Sequence, residues 1–350
     1  MDILHGKTLE EITAIVLALG EKPFRAKQIF SNAQKGYKIS EMTNLPKSLR
    51  DGLMCSFVDF PCEIIKVLSS GDGTKKYLLK LHDGECVESV LMKYKYGNTL
   101  CVSTQVGCRM GCKFCASTLD GLKRNMTAGE ILGEVFAVER DNKIEGAERT
   151  VTNIVLMGSG EPLDNYVETV RFLRLVSDKS GLNVSLRNVS LSTCGLVKEM
   201  YSLAEEDLPI NLTVSLHAPF DDLRKTIMPV ANKYSIKEIV SACENFFKKT
   251  GRRYYFEYSL ISGVNDTTDC AEELIRLLKG KVCHVNLIRL NSVKERALIG
   301  SDNDSCNAFL KTLQKGGLSA TIRRTTGADI DGACGQLRRR YLNDENNKVE

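Results

Sequence analysis

The sequence predicts an α/β fold: a partial (β/α)6-type barrel of parallel strands, with a small N-terminal helical and β-rich domain. Three observations lead there. From about residue 98, six short apolar strands alternate with longer amphipathic segments. The residues before them read differently, as helices followed by a hairpin. Polar motifs close one strand after another, and the C-terminal ends of the strands are where barrel enzymes carry their chemistry. With 43% apolar and 26% charged residues, the 350-residue chain can bury a large core.

The elements follow in order. LEEITAIVLALG spaces its apolar residues as a helix does and stops at Gly20. FRAKQIFSNAQKG and EMTNLPKSLRDGL continue the helical reading to about residue 55. EIIKVLSS and KKYLLKLHDG form a hairpin around Gly71–Asp72–Gly73, and ECVESVLMKYKYG extends it. The six barrel strands are NTLCVSTQ, TNIVLMGS, NVSLSTCG, INLTVSLHA, YYFEYSLI and HVNLIRLN. The helices between them include AGEILGEVFAVERD, NYVETVRFLRLVSD, IKEIVSACENFFKKTG and DCAEELIRLLKG. This divides the chain into an accessory domain at 1–93, a barrel core at 94–330 and a C-terminal segment at 331–350.

Composition removes several classes. No run approaches the ~18 apolar residues of a membrane helix. The N-terminus, MDILHGKTLEEI, lacks a signal-peptide core, so the reading is cytoplasmic, with no membrane partner. Thirteen cysteines in a long chain of this kind argue for metal, catalysis or packing rather than a disulfide scaffold. Cys55, Cys62, Cys243, Cys270, Cys283 and Cys306 stand singly among apolar or helical residues and read as packing. Net charge is only +4, but Lys123–Arg124, Arg252–Arg253, Arg323–Arg324 and Arg338–Arg339–Arg340 are local basic clusters suited to a phosphate backbone.

The densest chemical signal is CRMGCKFC. Cys108, Cys112 and Cys115 follow the first barrel strand, at the catalytic face. A structural zinc site needs a fourth ligand, and His217 and His284 stand alone without a second paired spacing. Three thiolates on three irons of a [4Fe–4S] cluster leave the fourth iron open to a chelating ligand. Phe114, between the last two cysteines, would keep water from such a cluster.

CxxxCxxC in this position resembles the radical SAM superfamily, whose fold is a partial or full (β/α) barrel. The resemblance implies that S-adenosylmethionine (SAM) occupies the open iron. It also implies cofactor contacts from Gly160 and Glu161 in MGSGEP, Ser192 in LSTCG, Ser215, Leu216 and His217 in SLHAP, and Asn291 after the sixth strand. FRAKQIF, EMTNLP, VES, CVSTQVGC, CKFCAS, GLKRNMTAGEI, SLHAP, LRKTIMPV and DIDGACGQL together resemble the RlmN family across almost the whole chain. That family implies a dual-specificity methyltransferase acting on adenine C2 in 23S rRNA, in the peptidyl transferase region, and in the anticodon loop of tRNA. The related Cfr methyltransferase modifies C8 of the same rRNA adenine. Ser159, Cys194 and Arg289 depart from the usual RlmN residues, and Arg289 is nearer to Cfr.

Composition alone leaves Cys101 and Cys334 as packing residues; the resemblance implies chemistry for both. Adenine C2 is not nucleophilic, so a direct polar transfer from SAM fails there, whereas a thiolate accepts the methyl group readily. On the implied mechanism one SAM methylates Cys334. A second, split at the cluster to a 5′-deoxyadenosyl radical, takes hydrogen from that methyl group. The carbon adds to C2, Glu88 in VES accepts the C2 proton, and Cys101 attacks to release RNA, leaving a Cys101–Cys334 disulfide for a reductant to reopen. Two SAM are used per turnover, with a flavodoxin or ferredoxin as electron donor. A monomer is expected, since no exposed apolar helix stands out. The alternatives are Cfr-type C8 methylation, a radical SAM enzyme with a non-RNA substrate, and a zinc-stabilised RNA-binding module.

Overall fold

The computed structural model describes residues 1–143, 149–291, 293, 295–330, 337, 338 and 341. Helices α1 (Leu9–Ala18), α2 (Phe24–Gln34) and α3 (Lys47–Ser56) open the chain. At the start of α1 the Thr8 hydroxyl accepts from the Glu11 N–H, and the Glu11 carboxylate accepts from the Thr8 N–H. This reciprocal cap satisfies two donors that a helix start leaves open. Each helix buries one apolar stripe, Ile12 and Val16 from α1 and Ile29 and Phe30 from α2. Strands β1 (Cys62–Ser69), β2 (Lys75–Leu81) and β3 (Cys86–Tyr94) then run antiparallel, and a tight turn leads into β4 (Gly97–Val102).

From β4 the chain winds as a barrel. A short ribbon, β5 (Gln105–Gly107) with β6 (Leu122–Asn125), brackets the cysteine loop. After it come α4 (Ala128–Asp141), β7 (Val151–Leu156), α5 (Tyr166–Val176), β8 (Val189–Thr193), α6 (Val197–Ala204) and β9 (Asn211–Ser215). The chain continues through α7 (Asp221–Ile227), α8 (Ile236–Thr250), β10 (Tyr254–Leu260), α9 (Thr268–Leu278), β11 (Cys283–Arg289), α10 (Asn303–Lys315) and β12 (Ala320–Ile322). The parallel strands lie side by side in chain order, β4-β7-β8-β9-β10-β11-β12. A doubly wound sheet would reverse direction at a switch point. The sheet ends at β12 without closing on β4, so the barrel is partial, as expected, with one more short parallel strand than the six the sequence suggested.

The same capping logic fixes two barrel helices. Thr127 with Glu130 starts α4, and Ser235 with Glu238 starts α8. α4 is buried without a break from Ala128 to Val138, because it lies between strands β1, β4 and β7, helix α5 and the N-terminal turn Leu4–Gly6. The boundary expected near residue 93 falls where β3 pairs with β4, inside one ten-stranded sheet. Leu4, Ile12 and Ile29 share one continuous apolar core with Ile131, Ile154 and Val285.

Two expectations need correction. Cys62, Cys243, Cys270, Cys283 and Cys306 are buried packing residues, but Cys55 is exposed. The basic clusters are largely used inside the fold. Lys123 pairs with Glu85, and Arg124 pairs with Asp83 and Glu130. Arg252 donates to the Asn211 side chain and Arg253 to the Cys283 carbonyl. Arg338 is buried and pairs with Glu85, while Arg339 and Arg340 lie outside the described residues. No helix among the described residues is long and apolar enough to cross a membrane.

Candidate active site and cysteine loop

The loop after β5 carries the cysteine triplet. Cys108 and Cys112 are buried, Cys115 is partly exposed, and none of the three forms a disulfide among the described residues. Burial raises Cys108 to about 11 and Cys112 to about 12, so these thiols ionise only when a cation takes their protons' place. The loop is held at both ends. The Cys108 N–H donates to the Gly121 carbonyl at 2.9 Å, and the Lys113 N–H donates to the Ile227 carbonyl at 2.9 Å. The Thr118 hydroxyl sits between the carbonyls of Cys112 (3.0 Å) and Cys115 (2.9 Å) and accepts from Arg296. Among the described residues no three His, Cys, Asp or Glu side chains converge as the ligands of a single ion do. A cubane, whose thiolates sit on separate irons, does not ask for that convergence.

A buried guanidinium lies beneath this loop. Arg224 is fully buried and donates to the carbonyls of Leu216 (3.0 Å), Cys194 (2.7 Å) and Ser215 (3.1 Å). Its Nη1 has no partner, and no carboxylate pairs with it among the described residues. The cation is near enough to Cys112 to oppose the rise that burial imposes on that thiol. A buried positive charge without an acid suits a neighbouring anionic group.

The loop after β7 carries Gly160 and Glu161. Gly160 has φ +107, and a Cβ there would lie 2.6 Å from the Gln105 Cβ, so only glycine fits. Gln105 forms the strap. Its Oε1 accepts from the Glu161 N–H at 2.8 Å, and its Nε2 donates to Asn125 and Asp164. The Glu161 carboxylate is buried and turned inward, accepting from the N–H groups of Cys194 (2.7 Å) and Leu163 (3.0 Å). Burial raises its pKa. Its side chain thus ties the β7 loop to the β8 loop.

Ser192 lies on β8 opposite Thr213, and Ser215 ends β9. Leu216 and His217 continue from β9, and both are buried. His217 takes φ +56 and accepts at Nδ1 from the Ser259 N–H at 2.9 Å. Burial lowers its pKa to about 3, so the ring is neutral and its proton sits on Nε2. Asn265 locks this turn by donating to the His217 and Ser259 carbonyls and accepting from the Ile261 N–H. The His217 ring meets Phe114 edge-on at 4.7 Å, which couples the cysteine loop to the end of β9.

Beside the cysteine loop opens a cavity of about 260 Å³. Cys115, Cys101 and Glu88 line it together, with Gly158 and Ser159 from the β7 loop and Asn291 beyond β11. Arg289, Arg323, Arg324 and Arg338 make its polar wall basic. Ser192, Ser215, Leu216, His217, Gly160, Glu161, Cys108 and Cys112 are not in its lining. Sheet register brings the wall together: Val90 of β3 faces Cys101 of β4, and Glu88, two residues back, shares that face. Burial raises the Cys101 thiol to about 12, opposed by the nearby Arg323. The Glu88 Oε2 pairs with Lys76 Nζ at 2.7 Å, and its Oε1 accepts from the Arg338 N–H at 2.6 Å. Cys334 lies outside the described residues. Both flanks of its segment are tied down: Asp329 accepts from the Ser70 hydroxyl at 2.5 Å, and Arg338 is bonded to Glu88.

Several supporting residues escaped sequence reasoning. The Ser103 hydroxyl donates to the Glu88 carbonyl and accepts from the Ser159 N–H. Glu134, fully buried, accepts from the Ser103 N–H and the Ser89 hydroxyl, and burial raises its pKa well above the carboxylate range. The signal for Glu134 was present: Glu130 and Glu134 stand four apart in an otherwise apolar helical run. Lys76, Gln105 and Arg224 gave no such signal, because their partners are distant in sequence.

The chain matches the family model for the radical SAM superfamily over residues 102–278. Residues 3–57 match the model for the ribosomal RNA large subunit methyltransferase N-terminal domain. It is 53% identical over 345 residues, 98% of each chain, to a probable dual-specificity RNA methyltransferase RlmN of Clostridium perfringens (strain SM101 / Type A). It is 49% identical over 344 residues to the protein of that description from Clostridioides difficile (strain 630), covering 97% of this chain and 98% of the relative. A solved structure of a radical SAM methyltransferase from Sphaerobacter thermophilus superposes with a TM-score of 0.91 at 42% identity, covering 96% of this chain and 99% of that one. The chain belongs to the RlmN family of dual-specificity RNA methyltransferases, within the radical SAM superfamily.

Proposed function

We propose that this enzyme methylates C2 of an adenine in 23S rRNA and in tRNA, with Cys334, Cys101 and Glu88 carrying the protein's part of the chemistry. The observation that carries the reading is the shared cavity wall: a thiol, a carboxylate and the last cysteine of the triplet face one space. Its family brings a [4Fe–4S] cluster and SAM, two per turnover. The donor set fits that cluster: three thiols outside any disulfide among the described residues, with the Arg224 cation, which no carboxylate pairs there, nearby to offset their negative charge. Cys108, Cys112 and Cys115 would hold the cluster. The backbone around Gly160–Glu161, with Ser192, Ser215, Leu216, His217 and Asn291, would hold SAM. When bound and reduced, the pair supplies a hydrogen-abstracting radical.

The chain's own residues do the rest. Cys334 carries the methyl carbon between donor and base, since C2 offers no nucleophile. Glu88 lies at the cavity wall to accept the C2 proton. Cys101 forms the disulfide with Cys334 that releases RNA, and Arg323 beside it favours the thiolate this requires. The adenine enters unpaired, because a duplex buries C2. On this reading the partners are 23S rRNA, tRNA and a flavodoxin or ferredoxin, and the enzyme works as a cytoplasmic monomer.

The test is nucleoside mass spectrometry of rRNA and tRNA treated with the anaerobically reconstituted enzyme. 2-Methyladenosine is expected, lost in Cys334→Ala. Cys101→Ala should leave RNA covalently bound to protein, for want of the thiol that releases it. 8-Methyladenosine, or product formed by Cys334→Ala, would overturn the reading.

A further inference from the structure

At the β3–β4 turn two tyrosine rings stack face to face, with centroids 5.0 Å apart and planes within 5°. Tyr94 is partly buried and lines the catalytic cavity. Tyr96, at the tip, is 75% exposed. An aromatic ring so exposed contributes little to the core, and its outer face is open to a ligand. A second cavity, of about 570 Å³, opens among the polar residues inside the strands and is lined by Tyr96, Tyr255 and Glu257. The two cavities share Tyr94, Met157, Arg323 and Arg324. Arg324 is exposed and makes no ion pair or side-chain hydrogen bond among the described residues, unlike the basic clusters that the fold neutralises.

A flat ring with a free face beside an unpaired guanidinium fits a nucleotide: the base stacks and the phosphate meets the cation. Arg324 and Tyr94 line the cavity where an extruded adenine would react, and Tyr96 lies beyond Tyr94 in the adjoining cavity, so a strand passing from one cavity to the other brings a neighbouring nucleotide within reach. We propose that the Tyr94–Tyr96 stack is a nucleobase platform, with the unpaired base next to the target adenine lying on Tyr96 and Arg324 on the adjoining phosphate. The proposal rests on reading the Cys101–Glu88 cavity as the place where the adenine reacts.

The chain contains no tryptophan, so Tyr96→Trp installs a single reporter at the proposed contact. The probe is a short RNA stem–loop with an unpaired adenine in its loop, titrated into the reconstituted enzyme. Tyr96→Trp should bind with near-wild-type affinity, and its emission should be quenched as the RNA saturates. Tyr96→Ala should bind about 5- to 150-fold more weakly, with an unchanged salt slope because no charge is lost. Arg324→Gln should lower the magnitude of that slope by about 0.7, the contribution of one single-strand phosphate. The SAM-induced change in the cluster spectrum, which reports an intact fold, should persist in all three. Binding by Tyr96→Ala within twofold of wild type overturns the proposal, as does unchanged tryptophan emission at saturation or a wild type that does not bind the stem–loop. Failure of the adenine reading shows separately, as a wild type that binds the RNA but leaves its adenine unmethylated.

Discussion

Replacing Lys76 by methionine should destabilise the enzyme by about 3–5 kcal/mol, the cost of stripping one partner from a buried ion pair. Lys76 is fully buried, Glu88 is 9% exposed, and the charged atoms are 2.7 Å apart. At that distance the attraction is about 6 kcal/mol at an effective dielectric near 20, which offsets much of the desolvation of both ions. With Lys76 gone, the carboxylate keeps the Arg338 N–H but stays buried. Glu88→Leu should cost a similar amount by leaving the ammonium without its carboxylate. The double variant removes both charges and, among the described residues, leaves the Arg338 N–H unsatisfied, costing about 1–3 kcal/mol. The two single effects should therefore exceed the double by about 3 kcal/mol or more. Anaerobic thermal melts of the reconstituted enzyme read this out. At about 2.1 cal/mol/K per residue, 350 residues give roughly 1.4 °C per kcal/mol, so each single variant should melt about 4–7 °C low. Strictly additive melting shifts, or a Lys76→Met variant melting within a degree of wild type, would refute the reasoning.

Two further outcomes follow from particular side chains. His5 is fully buried and its Nε2 bonds the Tyr37 carbonyl at 2.8 Å, while burial lowers its pKa to about 4. Because the folded-state value is depressed, the unfolded chain takes up the proton first below about 6.5; stability is whole above that pH and drains away towards 4. His5→Phe should flatten this decline by about 3 kcal/mol in denaturation series across that window, and parallel pH profiles would contradict it. Gly160→Ala forces a Cβ against Gln105 at a left-handed φ and should displace the β7 strap, at a cost of about 1–3 kcal/mol. Iron and sulfide should still load, but SAM should no longer perturb the cluster spectrum. An unchanged response to SAM would mean the strap does not position the cofactor.

Much of the fold was legible because its signals are local. Thr8, Thr127 and Ser235 announce helix starts with a glutamate three residues on, and the six longer parallel strands are runs of apolar and β-branched residues between polar breaks. β12 escaped because three residues, Ala320–Ile322, carry no periodicity. The pairing of β3 with β4, which joins the N-terminal hairpin to the barrel, shows in no composition shift. The cysteine triplet is local in sequence and could be read from spacing. The groups that brace the site are held across the chain: Gln105 to Glu161, Glu161 to Cys194, Arg224 to Cys194, and Glu88 to Arg338. A hydrogen bond between residues tens or hundreds of positions apart leaves no pattern in a single sequence. Cys55 was misjudged for the related reason that a helix buries only one side, and Cys55 lies on the other.

The turn between β3 and β4 works as a gauge. Tyr94 pairs with Gly97 across it, and that fixes Val90 against Cys101 four rungs away. Side chains alternate across a strand, so a slip of one residue would rotate Cys101 to the opposite surface while Glu88 stayed in place. A one-residue slip of this pairing would therefore separate thiol from carboxylate without altering either one, so on the proposed chemistry the register of this hairpin matters to turnover as much as the identity of the two groups.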